Sequence, residues 1–134
     1  MTAFLELFRE EAYALLRIVS GFMFAFHGMQ ILFGVYREGY PADFHLVIGS
    51  QTWFGGMIEL IGGLLIMLGL RTRWAAFLCS GTMAVAYFQF HWKFQMDRNF
   101  FPALNQGELA ALYSFVFLLI ATRGPGKWSL DRKG

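Results

Sequence analysis

With 134 residues, 57% of them hydrophobic and 15% charged, the chain has too little polar surface to cover a soluble domain of its size. Its net charge of +2 comes from basic residues scattered through connectors, which argues against a nucleic-acid surface. The single cysteine, Cys79, excludes an internal disulfide and a CxxC redox pair.

In chain order, the opening MTAFLELFREEA has acids where a secretory signal would be basic, so no cleavable signal is expected. Its alternation of Phe4, Leu5, Leu7 and Phe8 with Glu6, Arg9 and Glu10 predicts a short amphipathic lead-in at a membrane interface. Four apolar stretches follow, at about 13–36, 53–70, 74–90 and 107–122. Each approaches the ~20 residues a helix needs to cross ~30 Å of hydrocarbon. The predicted architecture is all-α: an integral membrane protein, one domain over 1–134, folded as a four-helix transmembrane bundle.

Arg71-Thr72-Arg73 separates the second and third spans so tightly that they must form an antiparallel hairpin, with Thr72 placed to cap the third helix. Arg123-Gly124-Pro125-Gly126 stops the fourth. The partly apolar connector 37–52 is long enough to dip into the interface or lie over the bundle mouth. With four spans, both termini and the 71–73 turn share one side. Arg9, Arg17, Arg71, Arg73, Arg123, Lys127, Arg132 and Lys133 fall there, against Arg37, Lys93 and Arg98 on the other, so the positive-inside rule puts both termini in the cytoplasm.

Converted to depth at ~1.5 Å per residue, His27, Gln30, Glu59, His91 and Glu108 converge in the outer half of the bundle. Glu59 lies among Gly55, Gly56, Gly62 and Gly63, with Gly69 continuing the stripe, and His27 lies in line with Gly21, Gly28 and Gly34. Small residues mark where helix backbones approach, so Glu59 and His27 are expected to face inward, toward each other. A lone carboxylate at that depth needs a proton or a donor, and His27 is the candidate partner. Bland readings stand beside these. Asn105 followed by Glu108 has capping-box spacing, His91 beside Trp92 fits an interfacial residue, Gln30 fits an interhelical hydrogen bond, and Arg17 fits a snorkelling or structural cation. His27, Glu59, His91 and Glu108 could ligate a metal, but they lack local ligand spacing, and no metal is expected. A quinone could stack on the aromatic residues, although a phenylalanine count alone does not argue for one.

The segments RIVSGFMFAFHGMQILFG, MIELIGGLLIMLGLRTRWAA and NQGELAALYSFVFLLIATRGPGKWSLD resemble the DoxX family of small bacterial membrane proteins, in order and from about 15 to 131. Gln30 departs from the lysine that this family often has there. The resemblance implies a four-helix membrane bundle in the bacterial inner membrane and a link to redox chemistry, since the family name derives from a subunit of a thiosulfate:quinone oxidoreductase. The leading expectation is therefore a membrane subunit or accessory of an oxidoreductase, quinone-linked or oxidative-stress system. His27 and Glu59 would exchange protons, and Gln30 and Glu108 would orient a ligand or partner. With no nucleophile, nucleotide loop or haem motif, catalysis by this chain alone is not expected. The alternatives are an oligomeric small-solute or proton transporter, and a scaffold for a partner enzyme whose polar groups only specify packing. The expected partners are the lipid bilayer and either another protein or further copies of the chain.

Overall fold

Long apolar runs become helices here, and their ends fall where glycine or arginine interrupts the run. In the computed structural model, which describes residues 1–131, there are helices and turns but no strand among the described residues. The elements are α1 (Thr2–Glu6), α2 (Arg9–Phe33), α3 (Gln51–Leu68), α4 (Thr72–Ala86), α5 (Pro102–Asn105) and α6 (Glu108–Arg123). α4 runs directly into a π-helical turn, Tyr87–Trp92, and a 3-10 turn, Arg98–Phe100, precedes α5. Two of the eight basic residues assigned above to the cytoplasmic side, Arg132 and Lys133, lie outside the described residues. α1 is exposed along its length.

α2 and α3 are each long and apolar enough to cross a membrane. Both end on glycine in the left-handed region, Gly34 at φ 70° and Gly69 at φ 69°, where a side chain would be strained. The expected first span of about 13–36 is thus shifted, beginning at Arg9 and closing three residues sooner at Phe33.

α2 packs most extensively on α3, and α4 on α6, while α3 against α4 joins the two pairs. The first pair meets backbone to backbone. A Cβ on Gly21 would lie 2.6 Å from the Met67 nitrogen, and one on Gly28 would lie 2.8 Å from the Gly56 carbonyl oxygen. Gly63 fits equally tightly against Gly21 and Ala25, while Gly62 faces Cys79 on α4 instead. Gly55 is the exception to the expected glycine face, with open space where its Cβ would be. In the second pair, Ser80 Oγ donates to the Ser114 carbonyl at 2.7 Å, and Ser114 Oγ donates back to the Ser80 carbonyl at 3.1 Å. Two hydroxyls thereby find acceptors inside an apolar environment that offers no water. Phe24, Tyr113 and Phe117 fill the middle, with the Phe24 and Phe117 rings 4.8 Å apart.

Three arginines close three helix C-termini. Arg17 donates to the carbonyls of Ile66 and Met67 at the end of α3, both at 2.7 Å, and to those of Lys127 and Trp128. Arg37 donates to Gln30 and Ile31 at the end of α2, and Arg73 to Ala121, Thr122 and Arg123 at the end of α6. A cation at a helix C-terminus meets both unpaired carbonyls and the negative end of the dipole. Arg17 is completely buried, so the snorkelling alternative is corrected: its charge is held by carbonyls and not by water.

Two capping expectations are also corrected. Thr72 is the first residue of α4, not its cap, and its N–H and hydroxyl both donate to the Asp131 carboxylate at 2.9 Å. Asn105 does not cap α6, which starts at Glu108. Its Oδ1 instead accepts from the Gly107 N–H at 2.8 Å, closing the turn two residues on. With Gly107 as the N-cap, Glu108 is the first helical residue and not the third, so no capping box forms.

Candidate functional site

Glu59 sits in the middle of α3, where only 4% of the residue is exposed. The close approach of α2 through its glycines brings His27 alongside, with Nδ1 2.5 Å from Glu59 Oε2. A buried carboxylate without a partner would carry a desolvation penalty of several kcal/mol, about 3 on insertion scales. The imidazole removes most of it by sharing a proton. The His27 side chain is half exposed, in contrast to the 6% of Glu59, so the pair has a closed end and an open end. His27 Nε2 has no hydrogen-bond partner among the described residues.

The open end gives onto a cavity of about 1060 Å³. Its lining is mostly apolar and comes from α2, α3, α4 and α6, with Phe24, Phe26, Phe77 and Tyr113 among the aromatic walls. Polar groups are few: His27, Gln30, Glu59, His91, Gln51, Thr52, Thr82 and Gln106. This is the composition of a small-molecule site, an apolar enclosure with a few convergent polar atoms.

The remaining residues singled out from the sequence fall in two groups. Gln30 and His91 border the same cavity as His27 and Glu59. Gln30 donates from Nε2 to the Tyr36 carbonyl at 3.0 Å, and His91 Nδ1 lies 3.3 Å from the Asn105 carbonyl. Glu108 stands apart: it opens α6 with an exposed side chain and does not border the cavity. Arg17 lies at the opposite end of α2, bound to carbonyls, and Asn105 holds the α5–α6 turn while donating to Tyr87 and Asn99. Gln106 and Tyr113 were not singled out from the sequence, although both border the cavity. Nothing in the spacing of Gln106 betrays it, because its left-handed backbone, φ 60°, is imposed by the turn. No group of three or more potential metal ligands occurs among the described residues.

Outside the core, Leu15, Val19 and Phe22 on α2, Ile61 and Leu64 on α3, Phe77 and Leu78 on α4, and Leu112 and Phe115 on α6 are exposed. Apolar residues at this density around a molecule need lipid against them. The DoxX family model matches residues 12–92, from the start of the first long helix to the end of the π turn. The chain belongs to the DoxX family. Among its relatives, an uncharacterized protein of Haemophilus influenzae is 40% identical over 131 residues, covering 96% of this chain and 95% of that one. An uncharacterized membrane protein of Mycobacterium tuberculosis is 29% identical over 88% of this chain and 78% of its own length. The inner membrane protein YqjF of Escherichia coli is 33% identical over 57% of this chain and 55% of its own. No solved structure matches. This DoxX chain is accordingly an all-helical membrane protein.

Proposed function

We propose that this DoxX protein is a membrane subunit or accessory of a quinone-linked oxidoreductase or oxidative-stress system in the bacterial inner membrane. His27 and Glu59 are its proton-exchanging pair, and Gln30 and His91 border the ligand. The observation that carries this reading is the contact between a buried carboxylate and a half-exposed imidazole, both of which line a large apolar cavity. Such a pair holds one proton at little cost and can pass it to a group in the cavity.

The reading takes the chain as one unit over 1–134, a four-helix transmembrane bundle with both termini cytoplasmic. Two arrangements support that topology. Glu10 pairs with Arg123, Glu11 pairs with Lys127, and Asp131 holds Arg71 and Thr72, so the start of α2, the α3–α4 turn and the C-terminal segment share one end. Basic residues concentrate at that end.

The test is a strain lacking the protein, complemented with the wild type or with Glu59→Gln. The variant is expected to reach normal membrane levels yet fail to restore coupled respiration or resistance to oxidative stress. Full restoration by Glu59→Gln at matched levels would overturn the proposal and leave a scaffold. The transporter reading has its own test in solute flux from reconstituted protein.

A further inference from the structure

We infer that the end of the cavity remote from Arg17 is a one-sided path for water, running past Gln51 and Gly55, through which His27 and Glu59 exchange protons with that face of the membrane alone. The inference rests on the reading of His27 and Glu59 as a proton-exchanging pair, and it adds the face they exchange with and the route.

The polar groups of the cavity gather at one end. Gln30 lies in the last turn of α2, Gln51 and Thr52 open α3, His91 belongs to the π turn, and Gln106 lies just before α6. Gln51, Thr52 and Gln106 are exposed, and Gln51 and Gln89 exchange amide hydrogen bonds of 2.5 and 3.1 Å across this end. Amides facing hydrocarbon would carry a desolvation cost, so this end meets water. Gln51, Gly55 and Glu59 all border the cavity, and their i, i+4, i+8 spacing sets them in line on one face of α3. At ~1.5 Å per residue, Glu59 lies about 12 Å in from Gln51. Between them a Cβ on Gly55 would meet nothing within 4 Å. The glycine that serves no helix contact thus leaves the way to the carboxylate clear. Water occupies a cavity where several polar partners converge, and here they run from the mouth to His27 and Glu59.

Beyond Glu59 the path stops. Phe24, Phe117 and Ile66 are at most 1% exposed, and the Phe24 ring lies 4.8 Å from that of Phe117 and 5.3 Å from that of Tyr113. The hydroxyls of Ser20, Ser80 and Ser114 each donate to a backbone carbonyl, so they offer no free relay. Arg17 on its carbonyls and Tyr13 on Gly124 close the far end. The titratable groups bordering the cavity are Glu59 from α3, His27 from α2, His91 from the π turn and Tyr113 from α6, while the Cys79 thiol of α4 packs behind against Gly62. A proton entering at the mouth therefore reaches the pair and goes no further. Each exchange moves one proton between the pair and water at the mouth, with no other reactant.

The experiment uses the full-length protein in membrane vesicles of both orientations, with a membrane-impermeant cationic methanethiosulfonate and modification read by mass spectrometry. The wild type gives the baseline, because its one thiol, Cys79, is fully buried. Trp128→Cys, at an exposed position whose carbonyl Arg17 holds, marks the Arg17 face. Gly55→Cys and His27→Cys are each expected to be modified from the opposite face and from that face only. Adding Gly55→Leu to His27→Cys should abolish its modification, with an unchanged circular dichroism spectrum. No modification of Gly55→Cys from either face would overturn the inference, because the cavity is then dry or filled by lipid. Modification from both faces would overturn it in favour of a path through the membrane, and modification of His27→Cys undiminished by Gly55→Leu would remove the route. The two readings fail separately. Two-faced labelling ends the sidedness while Glu59→Gln still fails to complement, whereas full complementation by Glu59→Gln ends the proton role whatever the labelling shows.

Discussion

Arg17 and Glu59 are both buried ionisable residues, and they are handled in opposite ways. Arg17 meets four backbone carbonyls, two from α3 and two from the C-terminal segment, so its role is to satisfy a helix end. Arg17→Met should lower stability by about 3 kcal/mol, because buried carbonyls lose charged donors that a thioether cannot replace. Thermal unfolding of the purified protein in detergent would read this as a drop of several degrees. Glu59 has one partner, and that partner is half open to a cavity, which is an arrangement for exchange more than for anchoring. Glu59→Gln keeps a polar side chain of similar size opposite His27, and should leave the unfolding temperature nearly unchanged. The contrast between the two variants separates a structural charge from a functional one.

At the scale of elements, the α2–α3 pair depends on glycines that allow backbone contact. Gly28→Ala places a methyl group against the Gly56 carbonyl and the Leu60 backbone, none of which can move without shifting a helix. It should cost about 1–3 kcal/mol and, by separating the helices, lengthen the His27–Glu59 contact. Gly55→Ala, one turn from Glu59, meets open space and should be tolerated. Comparing the two variants by unfolding in detergent would show whether glycine matters for close approach or merely for composition. The meeting of these two helices was legible in the 3–4 spacing of their glycines. That Gly62 belongs to a second interface, against Cys79, was not, because a helical stripe does not say which neighbour lies on which edge.

At the scale of the molecule, the C-terminal segment ties together the end where α2 begins and α3 meets α4. Leu130 and Asp131 donate backbone hydrogen bonds to Leu68 and Gly69, the Tyr13 hydroxyl donates to Gly124, and Arg123 lies over the Tyr13 ring at 4.0 Å. Partial burial works against the Asp131 carboxylate, but donors from Thr72 and Arg71 outweigh it and hold its pKa below the ordinary 3.8. A carboxylate with a depressed folded pKa contributes stability that is fully present above its unfolded value and is lost as pH falls through the folded one. The strap should therefore hold down to about pH 4 and loosen below it. Unfolding temperatures measured between about pH 3 and pH 7 should fall at the acid end in the wild type, and fall less in Asp131→Asn, which starts lower.

By itself the sequence determined the class of solvent and the punctuation. Hydropathy and the scarcity of charge follow from composition, and the helix end at Gly124 follows from local backbone preference, whereas the expected first two spans ran past the caps at Gly34 and Gly69. It also brought His27 and Glu59 to comparable depth, since rise per residue is a local constant. Only the tertiary structure decided that Asp131 caps α4, that Arg73 and Arg17 close helices distant in the chain, and that Glu108 lies outside the cavity that Gln106 borders. Those outcomes depend on which helix lies beside which, a property of packing that no local periodicity contains.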